Sequence, residues 1–136
     1  MFASTQMGGM NFGFPDVCLT PMPPSPVPVP IPYPNMANGL LANPGTAAIT
    51  VLTGGMPTHT MMTMGTLSMG DTAGIGTGIM SGMVMGPHRT LVAAFMTLKG
   101  GIPTSRLTSM MGQNGLALNA PGLTIAPSQV KVLVMK

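Results

Sequence analysis

Apolar and polar residues alternate in short runs along this chain and never settle into a sustained helical stripe. The segment Ala48-Ile49-Thr50-Val51-Leu52-Thr53 is β-rich and runs into Gly54-Gly55-Met56-Pro57, a turn signal. A related passage follows 46 positions on, where Thr97-Leu98-Lys99-Gly100-Gly101-Ile102-Pro103-Thr104 matches Val51 to Thr58 at the Leu, both Gly, the Pro and the Thr. Each copy reads as strand, Gly-Gly turn, Pro, second strand, so the pattern predicts a duplicated β-hairpin. The Val130/Val132/Val134 alternation predicts a final strand over residues 129–136.

Between residues 21 and 34, Pro alternates with Val27, Val29, Ile31 and Tyr33. In an extended chain, successive N–H groups point to opposite edges, so this period of two strips every donor from one edge and keeps those on the other. Such a segment pairs on one side only and stops further sheet growth. A solvated polyproline linker is the plainer reading. The interleaved apolar and aromatic residues favour a docked edge strand. Gly74, Gly78, Gly82 and Gly86 recur at spacing four, and a short helix is expected around 74–85. The stretch between Asp71 and His88 is shorter than the roughly 18–20 residues a membrane span needs, and Pro rules out 21–34 as a spanning helix. Gln113-Asn114-Gly115 and Asn119-Ala120-Pro121-Gly122 read as loops. The expected class is mainly β: one domain over 1–136, built of short strands and Gly/Pro turns.

Composition sharpens this picture. The 136 residues include 19 Gly, 15 Pro and 17 Met, against one Tyr, four Phe and no Trp. A coiled coil or helical bundle is excluded by the missing Glu/Lys/Leu heptads. The flexible Met thioether must fill interior gaps or cover an adaptable apolar surface, as in Met61, Met62, Met64 and Met69 or Met80, Met83 and Met85. The net charge of +3 rests on five scattered cations, without the basic cluster and stacking rings of a nucleic-acid binder. Lys99 and Arg106 read as solvated charges. The two acids, Asp16 and Asp71, leave a two-carboxylate hydrolase no spare residue. Cys18 has no partner for an internal disulfide, which fits a reducing cytoplasm, and the first residues show no secretory leader.

Outside Met, the soft or borderline metal ligands are Cys18, His59 and His88, with Asp16 or Asp71 able to complete a set. Their spacing has no CxxC or HxxxH, so packed and hydrogen-bonded side chains are the plainer alternative. Asp16 after Pro15 and Asp71 after Gly70 also read as turn residues. Cys18 with a histidine is a legal nucleophile pair, but nothing in the sequence orients the histidine or lines a substrate pocket.

Two runs carry a resemblance: Phe14-Pro15-Asp16-Val17-Cys18-Leu19-Thr20-Pro21 and Pro30-Ile31-Pro32-Tyr33-Pro34-Asn35. With Gly55-Met56-Pro57-Thr58-His59, Gly86-Pro87-His88-Arg89 and Ala120-Pro121-Gly122-Leu123-Thr124, they resemble the PAAR-like family that carries a Pro-Ile-Pro-Tyr run. Pro103-Thr104-Ser105-Arg106 looks like a degenerate copy of the family's Pro-Ala-Ala-Arg tetrad. The resemblance implies a small β-rich cone that caps the trimeric VgrG spike of a bacterial type VI secretion system. It implies no enzymatic turnover, a cytoplasmic protein that leaves without a signal peptide, and links to effector toxins, loading chaperones and, in passing, a target membrane. A tip of a related contractile injection system, or the delivery domain of a longer toxin, is the alternative. It also implies a zinc ion, for which Cys18, His59 and His88 are the matching positions. Partner contacts are expected from Val27, Val29, Ile31 and Tyr33, and from Val132 and Val134.

Overall fold

The computed structural model describes residues 1–117 and 119–135. Among these residues ten strands supply nearly all of the regular secondary structure: β1 (Met10–Thr20), β2 (Val29–Asn38), β3 (Ala48–Thr53), β4 (Met56–Thr58), β5 (Met64–Gly65), β6 (His88–Val92), β7 (Ala94–Lys99), β8 (Ile102–Thr104), β9 (Met110–Gln113) and β10 (Ala120–Ala126). The helical content is two single 3₁₀ turns, Gly39–Leu41 and Pro44–Thr46, each capped by an Asn side chain, Asn38 or Asn43. The mainly-β expectation holds. No helix among the described residues is long and apolar enough to cross a membrane.

Six strands form one antiparallel sheet in the order β2-β1-β10-β9-β6-β5, and two hairpins stand apart as β3-β4 and β7-β8. The hairpins are the predicted duplicates, and their registers agree pair for pair. Ala48 faces Thr58, Leu52 faces Pro57 and Thr53 faces Met56; Ala94 faces Thr104, Leu98 faces Pro103 and Lys99 faces Ile102. Both turns need left-handed backbone at two successive residues. Gly54 and Gly55 supply φ of 64° and 87°, and Gly100 and Gly101 supply 64° and 80°.

The Pro-rich segment forms an edge strand, as its donor pattern predicts. Within β2, Pro30, Pro32 and Pro34 alternate with Val29, Ile31 and Tyr33, and this part of the strand pairs with β1 alone; beyond the prolines Met36 makes one bridge to Met69 on the other edge. It begins at Val29, however, and residues 21–28 are exposed turns. Pro at 21, 23, 24, 26 and 28 leaves that stretch too few donors for a ladder.

Three element expectations fail. Gln113 and Ala120-Pro121-Gly122, expected in loops, lie in β9 and β10. Residues 74–85 form turns, not a helix. Gly74, Gly78 and Gly86 serve close packing against other segments, whereas Gly82 takes a left-handed turn: a Cβ on Gly74 would fall 2.3 Å from Cys18 Cβ, and one on Gly78 would fall 2.6 Å from the Asn119 side chain. The loop lies on β1 through Leu19 N–H to Thr77 O, Gly76 N–H to Leu19 O and Ile79 N–H to Val17 O. The final strand over 129–136 is also absent among the described residues, and Lys136 lies outside them. Gln129 intervenes: its Oε1 accepts from the N–H groups of both Lys131 and Val132, closing a turn where a ladder would start. What survives is one bridge, Phe2 to Leu133, flanked by Ala3 N–H to Val132 O and Val134 N–H to Met1 O.

The interior is unusually polar. Its apolar members are small, with Ala3, Ala94 and Val134 forming the buried cluster, while the largest fully buried side chains are Gln113, Asn35 and Asn114. Methionines and leucines sit mostly outside. Cohesion therefore rests on hydrogen bonds inside the fold, and each buried polar group needs a partner.

Candidate functional site

The two hairpins and the joined chain ends repeat one arrangement three times. Thr5 bridges Thr58, Thr60 bridges Thr104, and Arg106 bridges Ala3, so the third contact returns to the first segment. The backbone bonds close in the same sense: His59 N–H to Ser4 O at 2.9 Å, Ser105 N–H to His59 O at 3.0 Å, Ser4 N–H to Ser105 O at 3.0 Å. A second ring repeats it: Met61 N–H to Pro103 O, Leu107 N–H to Phe2 O, Gln6 N–H to Pro57 O. Residues 1–6, 56–61 and 102–107 thus surround an approximate three-fold axis. In the third unit, residues 129–134 take the place of β3 and β7, because Leu133 meets Phe2 as Leu52 meets Pro57 and Leu98 meets Pro103.

Side-chain exposure follows the same rule. Leu52, Leu98 and Leu133 are 61%, 58% and 58% exposed. Ile49, Phe95 and Val130, three residues earlier in each unit, are 62%, 58% and 68% exposed. Strand alternation alone does not demand this, since an outward face normally carries polar residues. Six large apolar side chains repeated about one axis form a surface of the kind that marks an interaction site.

His59 and His88 line one polar cavity beside the ring, together with Ser4, Thr63, Thr90 and Ser105. Both rings are buried. Gly65 makes room for His88, since a Cβ there would fall 1.8 Å from the imidazole Cε1. Burial holds His59 down at about 4, and its neighbour His88 adds to the effect. Burial lowers His88 as well, against a bond to the Leu67 backbone that acts the other way.

Cys18 belongs to a different cluster. β1 turns Asp16 and Cys18 to the same face, being two residues apart, and the loop after Gly70 brings Asp71 onto them. All three are fully buried, and their ligand atoms lie within 4.8 Å of one another. The group could hold a metal ion. The Asn35 amide donates to Asp16 Oδ2 at 2.5 Å, the Asn114 amide to Oδ1 at 3.1 Å, and the Asn119 amide also to Oδ1. The Met85 N–H serves both oxygens of Asp71. The Cys18 thiol donates toward Asp16 and Asp71 and lies beside the Asn114 and Asn119 amides. Burial first, then the charge of Asp16, pushes this thiol up to about 12. Burial also raises Asp71. The cluster therefore joins four distant parts of the chain, β1, β2, the 71–85 loop and the segment around Asn114 and Asn119, through charge-assisted bonds.

The structure thus divides the sequence-predicted ligands: His59 and His88 share a cavity, whereas Cys18 joins Asp16 and Asp71. Among the described residues, Cys18, His59 and His88 do not form a common group: Asn11 of β1 reaches the histidine cavity, but Cys18, seven residues further along the strand, sits with Asp16 and Asp71. Zinc wants its ligands gathered in one place, and the predicted trio is not gathered.

Of the predicted contact residues, Val27 is exposed but lies before β2, Val29 is exposed, and Ile31 and Tyr33 are half-buried. Val132 is half-buried; Val134 packs inside with Ala3 and Ala94, so its neighbours Val130 and Leu133 present the outward face. Sequence reasoning missed Ile49, Leu52, Phe95 and Leu98. The hairpin duplication was the signal that could have found them.

A family model described as "Toxin PAAR-like domain" matches residues 9–122. No curated protein and no solved structure matches the chain.

Proposed function

From the premise that the chain belongs to the toxin PAAR-like domain family, we propose that it caps a three-fold spike and performs no turnover. The partner is a trimeric VgrG spike of a type VI secretion system, with one chain seated on one trimer. A single observation carries this reading: three structurally equivalent units, each exposing the same leucine, surround one axis. A monomer that meets a symmetric trimer must offer each subunit a similar patch, and an internal three-fold repeat does that with one chain. The same docking serves a free-standing tip and the head of a longer toxin. In this reading the protein waits in the bacterial cytoplasm and leaves on the spike, with effector or chaperone attached. We assign the zinc implied by the resemblance, wherever the purified protein carries it, to Asp16, Cys18 and Asp71, the group able to share an ion.

Native mass spectrometry of the chain mixed with purified VgrG tests the proposal. One chain per trimer is the expected mass, and Leu98→Asp should abolish it. No complex, or three chains per trimer, overturns the reading.

A further inference from the structure

The neighbours of His59 fix its tautomer. The Gln6 amide nitrogen donates to the carbonyls of Leu40 at 3.1 Å and Ala42 at 2.9 Å. That fixes Gln6 Oε1 as the atom facing His59 Nε2, 3.0 Å away, so Nε2 carries the proton and donates. His59 Nδ1 is left as a bare lone pair. In His88, Nδ1 is buried and has no hydrogen-bond partner. With the ring proton on Nε2, this Nδ1 is likewise a bare lone pair.

An orphaned buried acceptor costs free energy until a donor reaches it. The cavity beside it offers about 20 Å³ to the centre of a water-sized sphere, and roughly 10–15 Å³ of such space holds one water molecule. Its other walls include Ser4, Thr63, Thr90 and Ser105, whose hydroxyls can both give and take hydrogen bonds, beside the Asn11 amide and the apolar Met111. Among the described residues no carboxylate or thiol lines it. A divalent cation there would find two neutral imidazoles, alcohols and no counter-charge, an expensive burial. Water suits the size, the polarity and the neutrality together.

We propose that a single structural water occupies the cavity between His59 and His88, donating a hydrogen to His88 Nδ1. Ser4, His59 and Ser105 belong both to the cavity wall and to the ring of backbone bonds, so the water completes the polar centre of the three-fold joint. The inference does not depend on the identity of the docking partner.

Two measurements on the purified full chain test it. Long-range proton–nitrogen NMR should show both histidines as the Nε2–H tautomer, with His88 Nδ1 shifted as a hydrogen-bonded acceptor. Water-selective NOE spectra should give a cross-peak to the backbone N–H of His59 or Ser105. Adding zinc or a chelator should leave the histidine signals unmoved. A crystal structure with data at the zinc edge should place one non-anomalous peak within hydrogen-bond distance of His88 Nδ1. An empty cavity overturns the proposal. So do an anomalous peak bridging the rings, zinc-dependent histidine shifts, or a tautomer with the proton on Nδ1.

Discussion

Asp16 is the residue on which most buried polar groups converge. It accepts from three side-chain amides, those of Asn35, Asn114 and Asn119, which come from β2 and from the two flanks of the loop before β10. An Asp16→Ala change strands those donors, at about 1–3 kcal/mol for each one left unpaired. Chemical denaturation should show a loss of several kcal/mol or a chain that no longer folds. Cys18 sits in the same cage, and its thiol, pushed up to about 12 and fully buried, should resist thiol reagents at pH 8 until the protein is unfolded. Fast labelling of the native protein would contradict that burial.

The histidines give a pH dependence. His59 titrates at about 4 in the fold against an ordinary 6.5. Below pH 6.5 the unfolded chain takes up a proton that the folded one refuses, so this contribution to stability falls between pH 6.5 and 4. The full effect is about 3 kcal/mol, and His88 shifts in the same direction. Asp71 opposes them, because its raised value favours the protonated carboxyl in the fold as pH drops. Melting curves at pH 7 and pH 4.5 should show a fall in Tm, smaller in His59→Gln than in the unmodified protein.

Among the elements, the twin hairpins offer a built-in control. Gly54 and Gly100 share a φ of 64°. An alanine forced into the left-handed region costs about 1–2 kcal/mol, so Gly54→Ala and Gly100→Ala should destabilise by similar amounts in urea titrations. Unequal losses would mean the two turns are not equivalent. β2 was legible because proline chemistry dictates which edge can pair, whatever lies around it. The loop over 74–85 was not, because glycine at spacing four suits a close helix contact and a close-packed turn alike. The choice between them was made by Cys18 and Asn119, residues far away in sequence that occupy the space a side chain would need. The missing last strand has a local cause, the Gln129 side chain capturing two N–H groups, which strand alternation does not register.

For the molecule as a whole, the approximate three-fold repeat sets the expectation for binding. Leu52, Leu98 and Leu133 are nearly equal in exposure, so each Leu→Ala change should weaken spike binding to a similar degree. Burying a leucine is worth about 2 kcal/mol, roughly a thirtyfold change in Kd. Calorimetry or surface resonance on the three variants measures it. If a single leucine carried all the loss, the contact would be one-sided and the three-fold reading would fail. The affinity should also vary little with salt, because the six repeated outward residues are uncharged.

By itself the sequence determined what local chemistry dictates. Left-handed turns require Gly54-Gly55 and Gly100-Gly101, alternate prolines make β2 one-sided, and the missing Glu/Lys/Leu heptads exclude helical bundles and leave short strands as the available elements. It also singled out Cys18, His59 and His88 as residues capable of chemistry. Only the tertiary structure decided which of them meet, separating the cysteine from the histidines, because ligand sets are made by distances between strands and not by spacing along the chain. The third unit of the axis likewise emerged only in three dimensions. Its two halves lie at opposite ends of the chain, 129–134 and 1–6, and no repeat read in chain order can join them until folding brings Phe2 against Leu133.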